Sequence, residues 1–326
     1  MKSFIEKPVI ILGCPRSGTT LLFTILGHSK QLYSLYNESR FIFKGFYKKR
    51  IKEGIEYHND KLNFEDLDEE TKSYFLHEFY RYSLNNRLVG LALHKILRKH
   101  FLLNPFVSLI TRFNSLYKDT FIESYRIVEK TPRNCFKVSF MNKLFPDAKF
   151  IYIKRDGRSN ISSLLEGWRK RKGGKKRFPG LSKPLNIKDY SGSGWHFVLP
   201  PKWEEYSDKT LAEVCAFQWV SSNQAILDGL KEIEANRKYE ISYEELSENT
   251  SGVVEQICNF IDIPYSQEIK KIAEKPPVVN TFSRPNKDKW KRHEAELEKI
   301  YFMIQPMMNV LGYSLGEKKQ AVTYKP

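Results

Sequence analysis

The run Val9-Ile10-Ile11-Leu12, followed by Gly13-Cys14-Pro15-Arg16-Ser17-Gly18-Thr19-Thr20, decides how the chain is read. Four consecutive apolar residues broken by a glycine suit an interior parallel strand, because a strand covered on both faces has no polar side to alternate with. From Thr19 onward Leu21, Leu22, Ile25 and Leu26 recur on one face of a helix, which ends near Gly27. Strand, tight polar turn and helix form the opening of a nucleotide-binding βαβ unit. The turn matches the phosphate-loop pattern GxxxxGK(S/T) at Gly13, at Gly18 and at the hydroxyl position Thr20, but Thr19 stands where that pattern has its lysine. A loop of this kind aims backbone N–H groups and a helix N-terminus at an anion. Here Arg16 supplies a fixed, bidentate cation in place of the lysine. Pro15 shapes the turn, and Ser17, Thr19 and Thr20 are hydroxyl donors. The set suits a phosphate-type group without obligatory magnesium. The plainer alternative is a turn that merely joins strand to helix.

Working outward, Phe150-Ile151-Tyr152-Ile153 is the clearest later strand, followed at once by Lys154-Arg155-Asp156-Gly157 and a helix from about Arg158. Strand ends line the ligand crevice of a doubly wound sheet. Arg155 at the strand end and Ser163, about two turns into the helix, are therefore placed to grip a second phosphate. The alternative is a surface ion pair of Arg155 or Arg158 with Asp156. Ile127-Val128 and Tyr239 to Tyr243 are shorter strand candidates, Val253 to Phe260 is a helix, and the hundred or so residues after the first helix are mostly helical by pattern. The expected fold is α/β: a P-loop-type three-layer arrangement with a central parallel sheet flanked by helices.

The chain has 326 residues, 41% of them hydrophobic, which excludes a disordered protein. Its 54 basic side chains against 38 acidic ones give a net charge of +16, pointing to an anionic partner. Cys14, Cys135, Cys215 and Cys258 are scattered and form no CxxC, as expected in a reducing compartment. The seven histidines form no HxxxH or HExxH pair, so no metal is expected. No apolar run approaches the ~18–20 residues of a membrane span, and Val9–Leu12 is too short for a signal sequence, so a cytoplasmic location is expected. Residues 169–188 carry nine basic residues, three glycines and two prolines with no acid. This segment is expected to be a basic loop or lid, inserted at about 169–205 in a single domain spanning 1–326. A nucleic-acid partner is not expected, because only Phe178 and Trp168 lie near the basic run.

The ordered motifs resemble the sulfotransferases that use 3′-phosphoadenosine-5′-phosphosulfate (PAPS), in the branch that includes tyrosylprotein sulfotransferases and many bacterial enzymes. Pro15-Arg-Ser-Gly-Thr-Thr-Leu21 is similar to the 5′-phosphosulfate loop. Glu129-Lys-Thr-Pro-Arg133 is similar to the segment carrying a catalytic lysine. Phe145 to Arg158 with Ser163 is similar to the 3′-phosphate site, and Ser242-Tyr-Glu-Glu-Leu246 to a late Tyr-Glu-x-Leu segment. Together these pieces reach from residue 8 to about 265, with Asp288-Lys289-Trp290 a weaker match to a C-terminal lysine–tryptophan.

The resemblance implies PAPS as co-substrate, with Arg16 and the loop holding the 5′-phosphosulfate and Arg155 and Ser163 the 3′-phosphate. Lys130 would stabilise the departing bridging oxygen, and Glu38 in Tyr36-Asn37-Glu38-Ser39 would be the base. Glu38 lies 22 residues past Arg16, one more than the family spacing. His94 and His100 are the other bases considered. Tyr243, Lys289 and Trp290 are added as cofactor contacts. The acceptor implied is an anionic glycan, a glycolipid, a peptide or a small metabolite, and peripheral contact with membrane headgroups is compatible with the basic segment. The rival readings are a P-loop kinase or NTPase with Asp156 as its metal acid, a basic nucleic-acid-binding protein, and a non-catalytic nucleotide binder.

Overall fold

Strand β1 (Val9–Leu12) is buried along its whole length and lies in the middle of a five-stranded sheet. The other strands are β2 (Leu32–Ser34), β3 (Arg126–Glu129), β4 (Lys149–Lys154) and β5 (Lys238–Ser242). Their order is β2-β3-β1-β4-β5, and every neighbouring pair is parallel. The computed structural model describes residues 5–35, 38–54, 58–97, 124–170, 181, 183–192, 194–279 and 288–314.

The helices are α1 (Thr19–Leu26), α2 (Arg40–Lys52), α3 (Glu69–Leu97), α4 (Val138–Leu144), α5 (Gly157–Lys170), α6 (Leu211–Lys231), α7 (Tyr243–Glu248), α8 (Thr250–Phe260), α9 (Gln267–Glu274), α10 (Glu294–Glu298) and α11 (Tyr301–Val310). They cover both faces of the sheet. Successive strand side chains point to opposite faces. Val9 and Ile11 pack with Leu22, Ile25, Val254 and Ile257 of α1 and α8. Ile10 and Leu12 pack on the other face with Phe140, Leu164 and Trp219 of α4, α5 and α6. Two cores, one on each face, explain why β1 and β4 read as unbroken apolar runs, and they give the three layers expected from the sequence.

Two sequence readings change at the edges. The Tyr239–Tyr243 strand ends one residue earlier. The Ser242 hydroxyl accepts from the Glu245 backbone N–H and its own N–H donates to the Glu245 carboxylate, a capping box that turns Tyr243 into the first residue of α7. Strand β2 lies in a stretch expected to be helical. Its three residues are too few for periodicity to reveal, and pairing with β3 makes them a strand.

The loop expected at 169–205 also narrows. Arg169 and Lys170 close α5, and Arg169 is ion-paired with Glu296. Residues 171–180 and 182 lie outside the described residues. Beyond them, Ile187, Trp195, Val198, Leu199 and Trp203 are buried, and Asn186 N–H donates to the Ser207 carbonyl over 2.7 Å. Apolar and aromatic residues inside the span outweigh its charge and draw its second half into the core. Trp168 is fully buried, edge-on to Trp195 with its indole N–H on Gln218, and offers no face to a nucleic-acid base.

Candidate functional site

In a parallel sheet every strand points the same way, so the segments that leave their carboxyl ends gather on one edge. Each of the five strands delivers one candidate residue there. Glu38 follows β2, Lys130 follows β3, Arg16 follows β1, Arg155 follows β4 and Tyr243 follows β5. Scattered over more than two hundred positions of sequence, they become neighbours through strand order alone.

The β1–α1 loop turns tightly, with the Ser17 N–H donating to the Cys14 carbonyl over 3.0 Å. Arg16 and Gly18 both have positive φ, 77° and 95°. Arg16 pays the steric cost that glycine avoids, of about 1 kcal/mol or more. A side chain at Gly13 would meet the Ile153 carbonyl oxygen at 2.9 Å, and one at Gly18 would overlap the Tyr243 ring. Gly13 is therefore required by close approach, and Gly18 by close approach and by its positive φ. No side chain caps α1 and no acid lies in its first turn, which leaves its N-terminus electropositive. Pro15, Ser17 and Thr19 are buried, with Thr20 partly so.

Two guanidiniums meet at this loop. Arg155 donates through Nη1 to the Arg16 carbonyl oxygen over 2.6 Å, and Arg16 donates through Nε to Ser163 Oγ over 3.1 Å. The Arg155 guanidinium carbon lies 4.2 Å from the centre of the Tyr243 ring. Burial, and then the neighbouring Arg155 charge, pull the Arg16 guanidinium below its ordinary range, and burial does the same to Arg155. Arg155 Nε and Ser17 Oγ are buried without a hydrogen-bond partner. Two crowded cations beside orphaned donors fit a polyanion, which would satisfy all of them together. The ion pair considered for Asp156 forms with Arg158 and not with Arg155. Asp156 also accepts from the Ser159 backbone N–H at the start of α5, so its carboxylate is a helix cap.

At the other end of the edge Lys130 donates to Glu38 Oε1 over 2.8 Å. Lys130 is nearly buried at 6% side-chain exposure, while Glu38 at 34% can reach solvent or a second molecule. Of the histidines considered as bases, His94 has no described side chain and His100 lies outside the described residues.

The C-terminal pair is placed differently. Lys289 forms an ion pair with Glu166 of α5 over 2.8 Å, shared with Arg292, and Trp290 packs partly buried with the Arg158 guanidinium over its ring at 4.9 Å. Both residues therefore clip the turn at Lys289–His293 onto α5. Sequence reasoning passed over Asn160, whose amide donates to the Pro15 carbonyl oxygen over 3.0 Å and ties α5 to the loop. A polar residue on the buried face of an amphipathic helix was the available signal.

The family model of the sulfotransferase family matches residues 8–181, more than half of the chain and all four strand ends up to Arg155. The chain belongs to the sulfotransferase family. An uncharacterised protein of Aquifex aeolicus is 22% identical over 311 residues, covering 92% of this chain and 32% of that protein. The protein-tyrosine sulfotransferase of Drosophila melanogaster is 20% identical over 205 residues, covering 58% of this chain and 34% of that protein. The chain thus spans about a third of the length of these curated relatives. Among solved structures, the sulfotransferase domain from the curacin biosynthetic pathway matches with a TM-score of 0.50 at 20% identity, covering 96% of this chain and 99% of that one. That likeness shows the fold alone. Among the described residues no helix is long and apolar enough to cross a membrane.

Proposed function

We propose that this sulfotransferase-family chain moves a sulfuryl group from PAPS to an acceptor hydroxyl or amine and releases adenosine 3′,5′-bisphosphate. The observation that carries the reading is the pair of buried guanidiniums, Arg16 and Arg155, set beside the unpartnered Ser17 hydroxyl and Arg155 Nε. A ligand with phosphates at two positions of one ribose answers both ends of that cluster. Arg16, Ser17, Thr19, Thr20 and the loop amides would hold the 5′ end, and Arg155 with Ser163 the 3′-phosphate. The Arg16–Ser163 bond joins the two subsites. Tyr243 serves as the platform under Arg155.

The donor, when bound, supplies an activated sulfate anhydride. The protein's part is positioning and charge stabilisation along an in-line path. Glu38 accepts the acceptor's proton as the new S–O or S–N bond forms, and in doing so gives up its ion pair with Lys130. The released ammonium is then free to stabilise the oxygen left when the old S–O bond breaks. The contact between Glu38 and Lys130 links these two events. Arg16, Lys130 and Arg155 carry the charge neutralisation, so binding independent of magnesium is the signature of the reading. A P-loop kinase would need a loop lysine and a free metal acid. Thr19 replaces the first and Asp156 is engaged as a cap. The name of the Drosophila relative makes a peptide tyrosine one acceptor to try, beside phenols, sugars and glycolipids.

Calorimetry with adenosine 3′,5′-bisphosphate, and with ATP with and without Mg²⁺, tests the reading. Tight binding of the bisphosphate without metal is expected. Preference for Mg²⁺-ATP, or no nucleotide binding, would refute it.

A further inference from the structure

Beneath the Glu38–Lys130 contact lies a second carboxylate that the proposed reaction does not use. Glu129 is the last residue of β3, and it is 1% exposed. Its Oε1 accepts from Ser39 Oγ over 2.6 Å and from Asn134 Nδ2 over 3.0 Å. The Ser39 hydroxyl is also 3.1 Å from Thr131 Oγ1. The hub thus joins the residue after Glu38 to the residues on both sides of Lys130, across some ninety positions of sequence.

Two features say that this hub is not there for stability. Ser39 occupies the N-cap position of α2, where a serine normally bonds the helix's own N–H groups, yet its side chain makes no capping bond and turns inward to Glu129. Glu129 Oε2 is buried with no hydrogen-bond partner, an arrangement that an apolar residue would avoid. Burial accordingly pushes the Glu129 carboxyl above its ordinary range. A forgone cap and an orphaned buried oxygen, both converging on the segments that carry one ion pair, mark a geometric constraint.

We propose that Glu129 is a positioning residue: through Ser39 and Asn134 it holds the Glu38 segment in register with Lys130, so that the carboxylate and the ammonium meet. The importance of that contact for transfer rests on the function proposed above, but the contact itself can be tested without any acceptor or donor. Each side of the hub acts on the pair through backbone placement, since neither Glu129 nor Ser39 bonds the Lys130 ammonium.

The test is competitive acetylation with trace acetic anhydride, reading Lys130 by mass spectrometry against Lys137. Lys137 is a lysine of similar burial held by the carbonyls of Asp60 and Arg133, so the ratio cancels any general loosening. Glu38→Gln sets the scale by removing the partner carboxylate. Glu129→Ala and Ser39→Ala are expected to raise the Lys130/Lys137 ratio at least threefold, toward the Glu38→Gln value. Glu129→Gln keeps an oxygen facing Ser39 and Asn134 and should stay within about twofold of wild type. Ser39→Ala keeps the test open if Glu129→Ala fails to fold. Wild-type ratios in both alanine variants would overturn the proposal. So would a Glu38→Gln ratio no higher than wild type, since there would be no contact to position. Equal rises at Lys130 and Lys137 would mark Glu129 as a fold-stabilising residue and overturn it as well. Failure of the bisphosphate to bind would sink the donor reading and leave this result standing.

Discussion

The two ends of the sheet's carboxyl edge treat positive charge in opposite ways. At the β1–β4–β5 end, Arg155 sends its hydrogen bond to the Arg16 carbonyl and its face to Tyr243, and no carboxylate among the described residues pairs with it. At the β2–β3 end, Lys130 is paired directly with Glu38. The first arrangement keeps a buried cation without a directly paired carboxylate, which suits the anion-binding subsite proposed above. The second holds a carboxylate and an ammonium in one half-exposed contact, which suits the proton transfer proposed above. A site divided this way predicts that damage to one half leaves the other working.

The largest effect is expected at the transfer end. Glu38→Gln keeps the shape and removes the proposed base, so turnover should fall by about 10²–10⁴-fold with donor affinity within twofold of wild type. Steady-state kinetics with any productive acceptor reads this, and a fall in KM-dependent rate alone would break the division. Next comes Gly18→Ala, which forces a side chain into φ 95° against the Tyr243 ring. It should cost on the order of 2 kcal/mol of stability and loosen Arg155 through its platform, seen as a lower denaturant midpoint together with weaker bisphosphate binding.

A third prediction concerns the buried Lys137. Burial pushes Lys137 down to about 8, well under its unfolded value near 10.4, so between about pH 8 and pH 10 the unfolded chain holds the extra proton. Stability therefore rises with pH across that window, by up to about 1.4 kcal/mol per pH unit from this group. Lys137→Met should remove the rise, as chemical denaturation at pH 7.5 and 9.5 would show; an unchanged slope would mean Lys137 is charged by its carbonyl partners. The smallest effect belongs to Ser17→Ala. Its hydroxyl is buried without a partner, so stability should stay within about 0.5 kcal/mol while bisphosphate affinity drops about fivefold.

Much of the binding end was legible in the sequence, because its residues sit beside the signals that reveal strands. Arg16 and Arg155 each follow a strong apolar run, and a parallel sheet must bring such ends together. Glu38 was harder. Its strand, Leu32–Ser34, is three residues long, so only resemblance pointed to it, and the contact with Lys130 came from the fold. Lys289 and Trp290 show the opposite case. Their motif was visible, but the pairing of Lys289 with Glu166 depends on packing between distant segments that local pattern does not encode. The basic run hid a folded segment. Counting its charges concealed the tryptophans that fold its second half. Glu129 and Ser39 lie inside the quoted motifs, but their hydrogen bonds to each other and to Asn134 left no signal, because a hub of hydrogen bonds has no periodicity.

The measurement that bears most directly on the divided site is calorimetric titration of adenosine 3′,5′-bisphosphate into Arg155→Ala and Lys130→Ala side by side, without magnesium. Arg155→Ala should lose about 3 kcal/mol, a hundredfold or more in affinity, by removing a charged donor set from a buried phosphate, whereas Lys130→Ala should bind within threefold of wild type. Equal losses in both variants, or none in Arg155→Ala, would contradict the account.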